Sequence, residues 1–133
     1  MLPEKIIEEG SLHLTGSTVR VNVRIPWYRS LPLSCVESAE LTLDGQPVPT
    51  ESLLWTVNGH TRTIGELAQR WEELWHVLDS ATLTGELPQH SISETHEVSV
   101  RLGIRIPYLP QGDAVLTIHE KDTKTMTAKE ATR

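Results

Sequence analysis

A chain of 133 residues, 38% of them hydrophobic, is long enough for one domain that buries roughly two-thirds of its unfolded surface. The net charge of −6 argues against nucleic-acid binding, which needs a basic footprint. No apolar run approaches the roughly 20 residues of a membrane span.

The first residues, Met1-Leu2-Pro3-Glu4-Lys5, are not a basic leader followed by an apolar stretch. Cys35 is the only cysteine, so no internal disulfide can form. The expectation is a cytoplasmic protein in which Cys35 is a small buried hydrophobe rather than a nucleophile. Ile6-Ile7 and then Leu12 with Leu14 read as short strands, each closed by a turn at Glu8-Glu9-Gly10 and Gly16-Ser17. The first strong strand follows. Val19, Val21, Val23 and Ile25 share one face, and Arg20, Asn22 and Arg24 share the other.

Pro26 ends that strand because proline cannot donate to a ladder, and Pro32 stiffens the connection that follows. Between them lie Trp27, Tyr28 and Arg29. Sequence neighbours in extended backbone point to opposite sides, so at least one of the two rings is expected to face outward. A stiff loop carrying an exposed aromatic and an arginine has the composition of a contact surface.

Ala39, Leu41 and Leu43 alternate with Glu40, Thr42 and Asp44, and Asp44-Gly45 is a tight hairpin signal. Pro47 and Pro49 mark the return as an edge segment or loop. Leu53 to Val57 reads as a strand, and Asn58-Gly59 as a second hairpin turn leading into His60 to Thr63. Thr63-Ile64-Gly65-Glu66 matches a helix capping box. Ile64, Leu67, Ala68 and Trp71 fall on one helical face, which Leu74, Trp75 and Leu78 could extend. Trp75 to Leu83 fits either helix or strand. The favoured reading is a helix of two to three turns and then a strand, with Leu87-Pro88-Gln89-His90 as a loop.

The second strong strand is Val98 to Ile106, and it contains an echo. Val19 to Trp27 aligns with Val100 to Tyr108, five of nine positions being identical. The echo predicts two strands doing the same job, each leaving the sheet at a proline and an aromatic. It also places Arg20, Arg24, Arg101 and Arg105 on outward faces, where either an acidic partner or cross-strand partners such as Glu40 and Glu97 would meet them. Gln111-Gly112-Asp113 is a turn, Ala114 to Ile118 a final short strand, and residues 119–133 a polar tail. These elements predict a mostly β fold, an antiparallel β-sandwich with one short α-helix, formed as a single domain over residues 1–118.

Catalytic patterns are scarce. The six histidines include no His-x-His or His-x-x-x-His pair, and His90 with His96-Glu97 does not form a cupin-like metal motif. A metal site assembled from distant strands stays open. The glycines are scattered singly, so there is no phosphate loop, and neither Ser30 nor Ser34 sits in a nucleophile elbow. Read from its residues, the chain is a binding or accessory domain.

Arg24-Ile25-Pro26-Trp27-Tyr28-Arg29-Ser30-Leu31-Pro32-Leu33-Ser34, followed by Glu37-Ser38-Ala39-Glu40-Leu41-Thr42-Leu43-Asp44-Gly45, resembles the small β subunit of bacterial C-glycoside deglycosidases. Val57-Asn58-Gly59, Arg70-Trp71, Ala81-Thr82-Leu83 and Arg105-Ile106-Pro107-Tyr108 follow in the same order. The resemblance spans roughly residues 18–110, while Glu72 to Leu78 and the polar tail depart from the pattern. It implies an accessory subunit of a hetero-oligomer. The large α subunit of that family resembles a sugar-isomerase TIM barrel and holds a divalent metal, typically manganese, so no cofactor is expected on this chain. The complex would cleave the carbon–carbon bond between a 3-oxo-glucosyl unit and an aromatic aglycone such as a flavonoid. On this reading Trp27, Tyr28, Arg29, Leu31 and Pro32, with Arg24, Arg105 and Tyr108, would meet the barrel, and the small-molecule C-glycoside would lie at or near the junction. No residue of this chain is assigned to catalysis. The competing reading is a carbohydrate-binding β-sandwich that uses Trp27, Trp55, Trp71 or Trp75 as a sugar platform. A small metal-dependent enzyme is a third.

Overall fold

Alternation of apolar and polar residues governs the chain, and the computed structural model, which describes residues 6–88 and 95–130, is built mainly of antiparallel strands. In order these are β1 (His13–Thr15), β2 (Thr18–Val23), β3 (Leu31–Pro32), β4 (Val36–Leu43), β5 (Gln46–Pro47), β6 (Leu54–Val57) and β7 (His60–Thr63). After the single helix α1 (Ile64–Leu67) come β8 (Leu74–Trp75), β9 (Ala81–Glu86), β10 (Thr95–Gln111), β11 (Ala114–Thr127) and β12 (Lys129–Glu130). Six strands form one sheet in the order β12-β1-β2-β9-β6-β7, and four form another in the order β11-β10-β4-β5. β3 and β8 make a separate two-stranded ribbon. Inward residues of both sheets share one core: Val19, Val21, Val23 and Leu83 from the first, Leu41, Leu43, Val100 and Leu102 from the second. No described helix is long and apolar enough to cross a membrane.

The turns form as their residues demand. Asp44 and Asn58 adopt φ of 52° and 55°, and Gly45 and Gly59 follow at 82° and 79°, the paired positive φ values of type I′ hairpins. Asp44 also fastens its hairpin to β10. Its Oδ1 accepts the Glu97 amide at 2.9 Å and its Oδ2 lies 2.5 Å from Nδ1 of the buried His96.

Three expectations are corrected. The capping box is present, with Thr63 Oγ1 accepting from the Glu66 amide at 3.2 Å and Glu66 Oε1 accepting from the Thr63 amide at 2.8 Å. The helix nevertheless stops after one turn rather than two or three. A four-residue helix containing Gly65 has little stability of its own, and the chain beyond it is recruited by Trp75, which is 1% exposed. Trp75 packs edge-on to Trp55, and its backbone pairs with Leu31. Second, Pro107 does not take the chain out of the sheet as Pro26 does. β10 runs on to Gln111 across a register shift between Ile106 and Pro110, because a bulge accommodates the missing amide.

Third, β11 does not end at Ile118. The segment expected as a polar tail continues as strand to Thr127, paired with β10 along its length, and β12 then pairs in parallel with β1. Neighbouring backbone supplies the partners that this polar stretch could not provide alone. Asp122 is the anchor: its Oδ2 accepts from the Ile6 and Ile7 amides at 3.1 and 3.0 Å, and Lys124 Nζ stands 3.7 Å away. Residues 131–133 lie outside those described.

Burial raises the Asp122 pKa, but the Ile7 and Ile6 amides and Lys124 outweigh it and hold the carboxyl below the ordinary aspartate range. A depressed folded pKa contributes stability above the ordinary value of ~3.9, and that contribution is lost as pH falls through the lowered value. Asp122→Ala leaves two amides without their acceptor and should cost about 1–3 kcal/mol, read as a lower urea midpoint at neutral pH. An unchanged midpoint would remove Asp122 as the anchor of the N-terminal segment.

Candidate functional site

Beyond β2 the chain bends through residues 26–29 instead of staying extended. The bend sets Trp27 and Tyr28 side by side, ring centroids 5.0 Å apart and planes tilted by 40°. The rings touch because the backbone bends here, and strict alternation belongs to extended backbone; one ring nonetheless faces outward, as expected. Trp27 is half-buried against the core, and its indole N–H donates to Tyr108 Oη at 2.5 Å. Tyr28 stands outward, 67% exposed. The Arg29 guanidinium carbon lies 5.7 Å from the Tyr28 ring centre and 5.4 Å from that of Tyr108, within cation–π range of both. Trp27 and Tyr108 occupy matching places in the echoed segments, so the echo brings two aromatics to one corner.

A second loop backs this corner. Ser30 Oγ accepts from the Val77 amide at 2.8 Å, and the Leu33 and Ser34 amides donate to the Glu73 and Arg70 carbonyls at 2.8 and 3.2 Å. Arg24 Nη1 donates to the Leu78 carbonyl at 2.5 Å. The loop is in turn tied to the β6–β7 hairpin. Arg62 reaches both Glu73 carboxylate oxygens at 2.9 and 3.3 Å, and Asn58 Nδ2 donates to Glu73 Oε2 at 3.1 Å and to the Leu74 carbonyl at 2.9 Å. This arrangement leaves Leu78 80%, Trp71 70% and Leu74 41% exposed. Sequence reasoning missed that outward display, because a helical reading placed all three on a buried face. The signal available was Asn58-Gly59, whose asparagine serves as a turn residue and also as a clamp.

The expected contact residues therefore divide. Tyr28, Arg29 and Tyr108 face solvent, Trp27 supports them, and Pro32 is half-buried. Leu31 is corrected: at 2% exposed it is part of the chain's own core, since its backbone pairs with Trp75. Arg24 is half-buried and committed to Leu78, and Arg105 is half-buried beside Cys35. Burial raises the Cys35 thiol pKa by more than Arg105 lowers it, consistent with an inert thiol.

Trp55 and Trp75 are fully buried and cannot serve as a sugar platform. Among the described residues no group of three His, Cys, Asp or Glu side chains could hold a metal ion, and His90 lies outside the described residues. On the outer face of β4, β10 and β11, Arg101 stands opposite Glu40 on one side and Lys121 on the other, with Thr42 and Ser99 beside them in a shallow depression. Glu97 faces Thr125 instead of an arginine.

The family described as C-glycoside deglycosidase beta subunit matches residues 5–108. The chain belongs to that family. It is 48% identical over 129 residues to a C-glycoside deglycosidase beta subunit of Microbacterium trichothecenolyticum, covering 96% of this chain and 98% of the relative. A protein of the same description from Arthrobacter globiformis is 46% identical over 126 residues, covering 95% and 96% of the two chains. A 3'-dehydrocarminate deglycosidase beta subunit from a Microbacterium species is 38% identical over 133 residues, covering 99% of each. All three relatives are described as beta subunits, and the match takes in both loops of the aromatic corner and Tyr108.

The Asn58 hydrogen bond first, and then Arg62, hold Glu73 below the usual carboxylate range. The clamp is therefore intact above the ordinary glutamate value and lost as pH falls through the lowered one. Glu73→Gln should speed amide exchange at Leu33, Ser34 and Val77 by roughly two- to fivefold, the range of a solvent-accessible ion pair. Unaltered exchange at these three amides would show that the clamp does not hold the loop.

Proposed function

We propose that this chain is the accessory subunit of a C-glycoside deglycosidase and that it works by docking its aromatic corner on a larger, metal-bearing α subunit with a sugar-isomerase-type barrel. The observation that carries this reading is the corner itself. Tyr28 and Tyr108 are exposed at 67% and 41% while their positions are fixed by Trp27 and Arg29. Rigid exposed aromatics beside an arginine are what interface hot spots are made of, because little conformational entropy is lost when they are covered. Leu74, Leu78 and Trp71 extend the apolar display along the adjoining loop.

The reaction assigned to the complex is cleavage of the carbon–carbon bond between a 3-oxo-glucosyl unit and an aromatic aglycone. The ketone acidifies the neighbouring C–H, a base of the partner removes that proton, and the aryl carbon departs as it is protonated. The partner's divalent metal, manganese in this reading, would supply polarisation of the sugar oxygens. This chain contributes shape: it covers a face of the barrel near the catalytic mouth and helps exclude water from the bound glycoside. We place the complex in the cytoplasm.

The test is co-expression with the companion subunit. Tyr28→Ala combined with Leu78→Ser should leave the thermal midpoint of this chain within a few degrees of wild type. It should weaken the complex by roughly tenfold or more and lower turnover in proportion to the complex lost. Wild-type assembly and wild-type turnover in the double variant would reject the docking reading.

A further inference from the structure

We infer that Arg29 is the receptor for a carboxylate on the companion subunit's surface, and that this ion pair fixes how the two subunits seat on each other. The inference rests on the docking reading above and adds the chemistry that the partner must present.

Arg29 is the exposed cation of the corner, and its contacts are the rings of Tyr28 and Tyr108. Among the described residues the ion pairs are Arg62–Glu73, His96–Asp44 and Lys124–Asp122, and none reaches Arg29. Two other arginines show what engagement within the chain looks like: Arg62 takes both oxygens of Glu73, and Arg24 takes the Leu78 carbonyl. The chain carries 18 acidic residues against 12 lysines and arginines, so a lack of available carboxylates does not explain the difference.

A ring contact engages the π face of a guanidinium, whereas the N–H donors lie in its plane. Arg29 has two rings within cation–π range of its guanidinium carbon and none of these ion pairs on its N–H donors, a combination that would suit a bidentate carboxylate. Holding the side chain in advance removes part of the entropy cost of pairing, and docking would strip water from Tyr28 and strengthen the pair further. Tyr28 beside Arg29 is 67% exposed, so the group that meets Arg29 is taken to belong to an opposing protein surface and not to a small acidic substrate.

The experiment compares co-expressed complexes carrying wild-type chain, Arg29→Gln, Arg29→Lys and Tyr28→Ala, measuring dissociation on dilution at two salt concentrations and steady-state kinetics. Arg29→Gln should weaken assembly by roughly 30-fold or more and flatten its salt dependence. Arg29→Lys should recover only part of the affinity, since an ammonium supplies charge without the planar fork. Arg29→Gln that assembles like wild type with the same salt dependence overturns the ion pair, and a weakened Tyr28→Ala complex in that same experiment leaves the docking reading standing. Intact assembly with a raised KM confined to acidic substrates also overturns the proposal, assigning Arg29 to substrate instead.

Discussion

Trp75 enters the core edge-on to Trp55, centroids 5.1 Å apart at an interplanar angle of 84°, and its indole N–H is satisfied by the Asp79 carbonyl at 3.0 Å. Losing a buried tryptophan of this kind costs about 3–5 kcal/mol, far more than a further turn of weak helix could return. The chain after Leu67 is therefore drawn inward at Trp75, and everything between them must loop outward. That outward loop carries Trp71 and Leu74, and its backbone closes on residues 30–34. The core and the candidate contact surface are two consequences of one buried ring.

The aromatic corner depends on a second long-range pairing. β2 and β10 lie in different sheets, yet their echoed ends converge where Trp27 donates to Tyr108. The two prolines behave differently because their surroundings differ. After Pro26 the chain bends out of the sheet, whereas β11 continues to pair with β10 beyond Pro107 and holds it as a bulged ribbon. Tyr108 is thereby carried on a strand and Trp27 on a bend, and Arg29 is held between the exposed rings. The docking reading proposed above would give this otherwise costly exposure a reason, since a partner subunit would cover the corner.

Much of the sandwich was legible from alternation alone. Val19, Val21 and Val23 and Val98, Val100 and Leu102 are buried as their two-residue period predicts. Asp44-Gly45 and Asn58-Gly59 turn where positive φ is tolerated. The corner was legible as a composition, two aromatics and an arginine between prolines, and that is a local property. Its contents were misjudged at Leu31, which periodicity could not place, because burial there follows from pairing with a segment 44 positions later. The loop from Trp71 to Leu78 was misread for a related reason: its apolar spacing fits a helix, and only the competition for Trp75 breaks it.

By itself the sequence determined which segments could be strands, where the hairpins close, and that a stiff aromatic loop had to face outward somewhere. These follow from backbone sterics and residue period, which act over a few positions. Tertiary structure alone decided that the loop meets Tyr108, that Arg29 rests on two rings, and that residues 119–127 are strand instead of tail. Such outcomes depend on partners brought from the far end of the chain, and no local propensity encodes a partner.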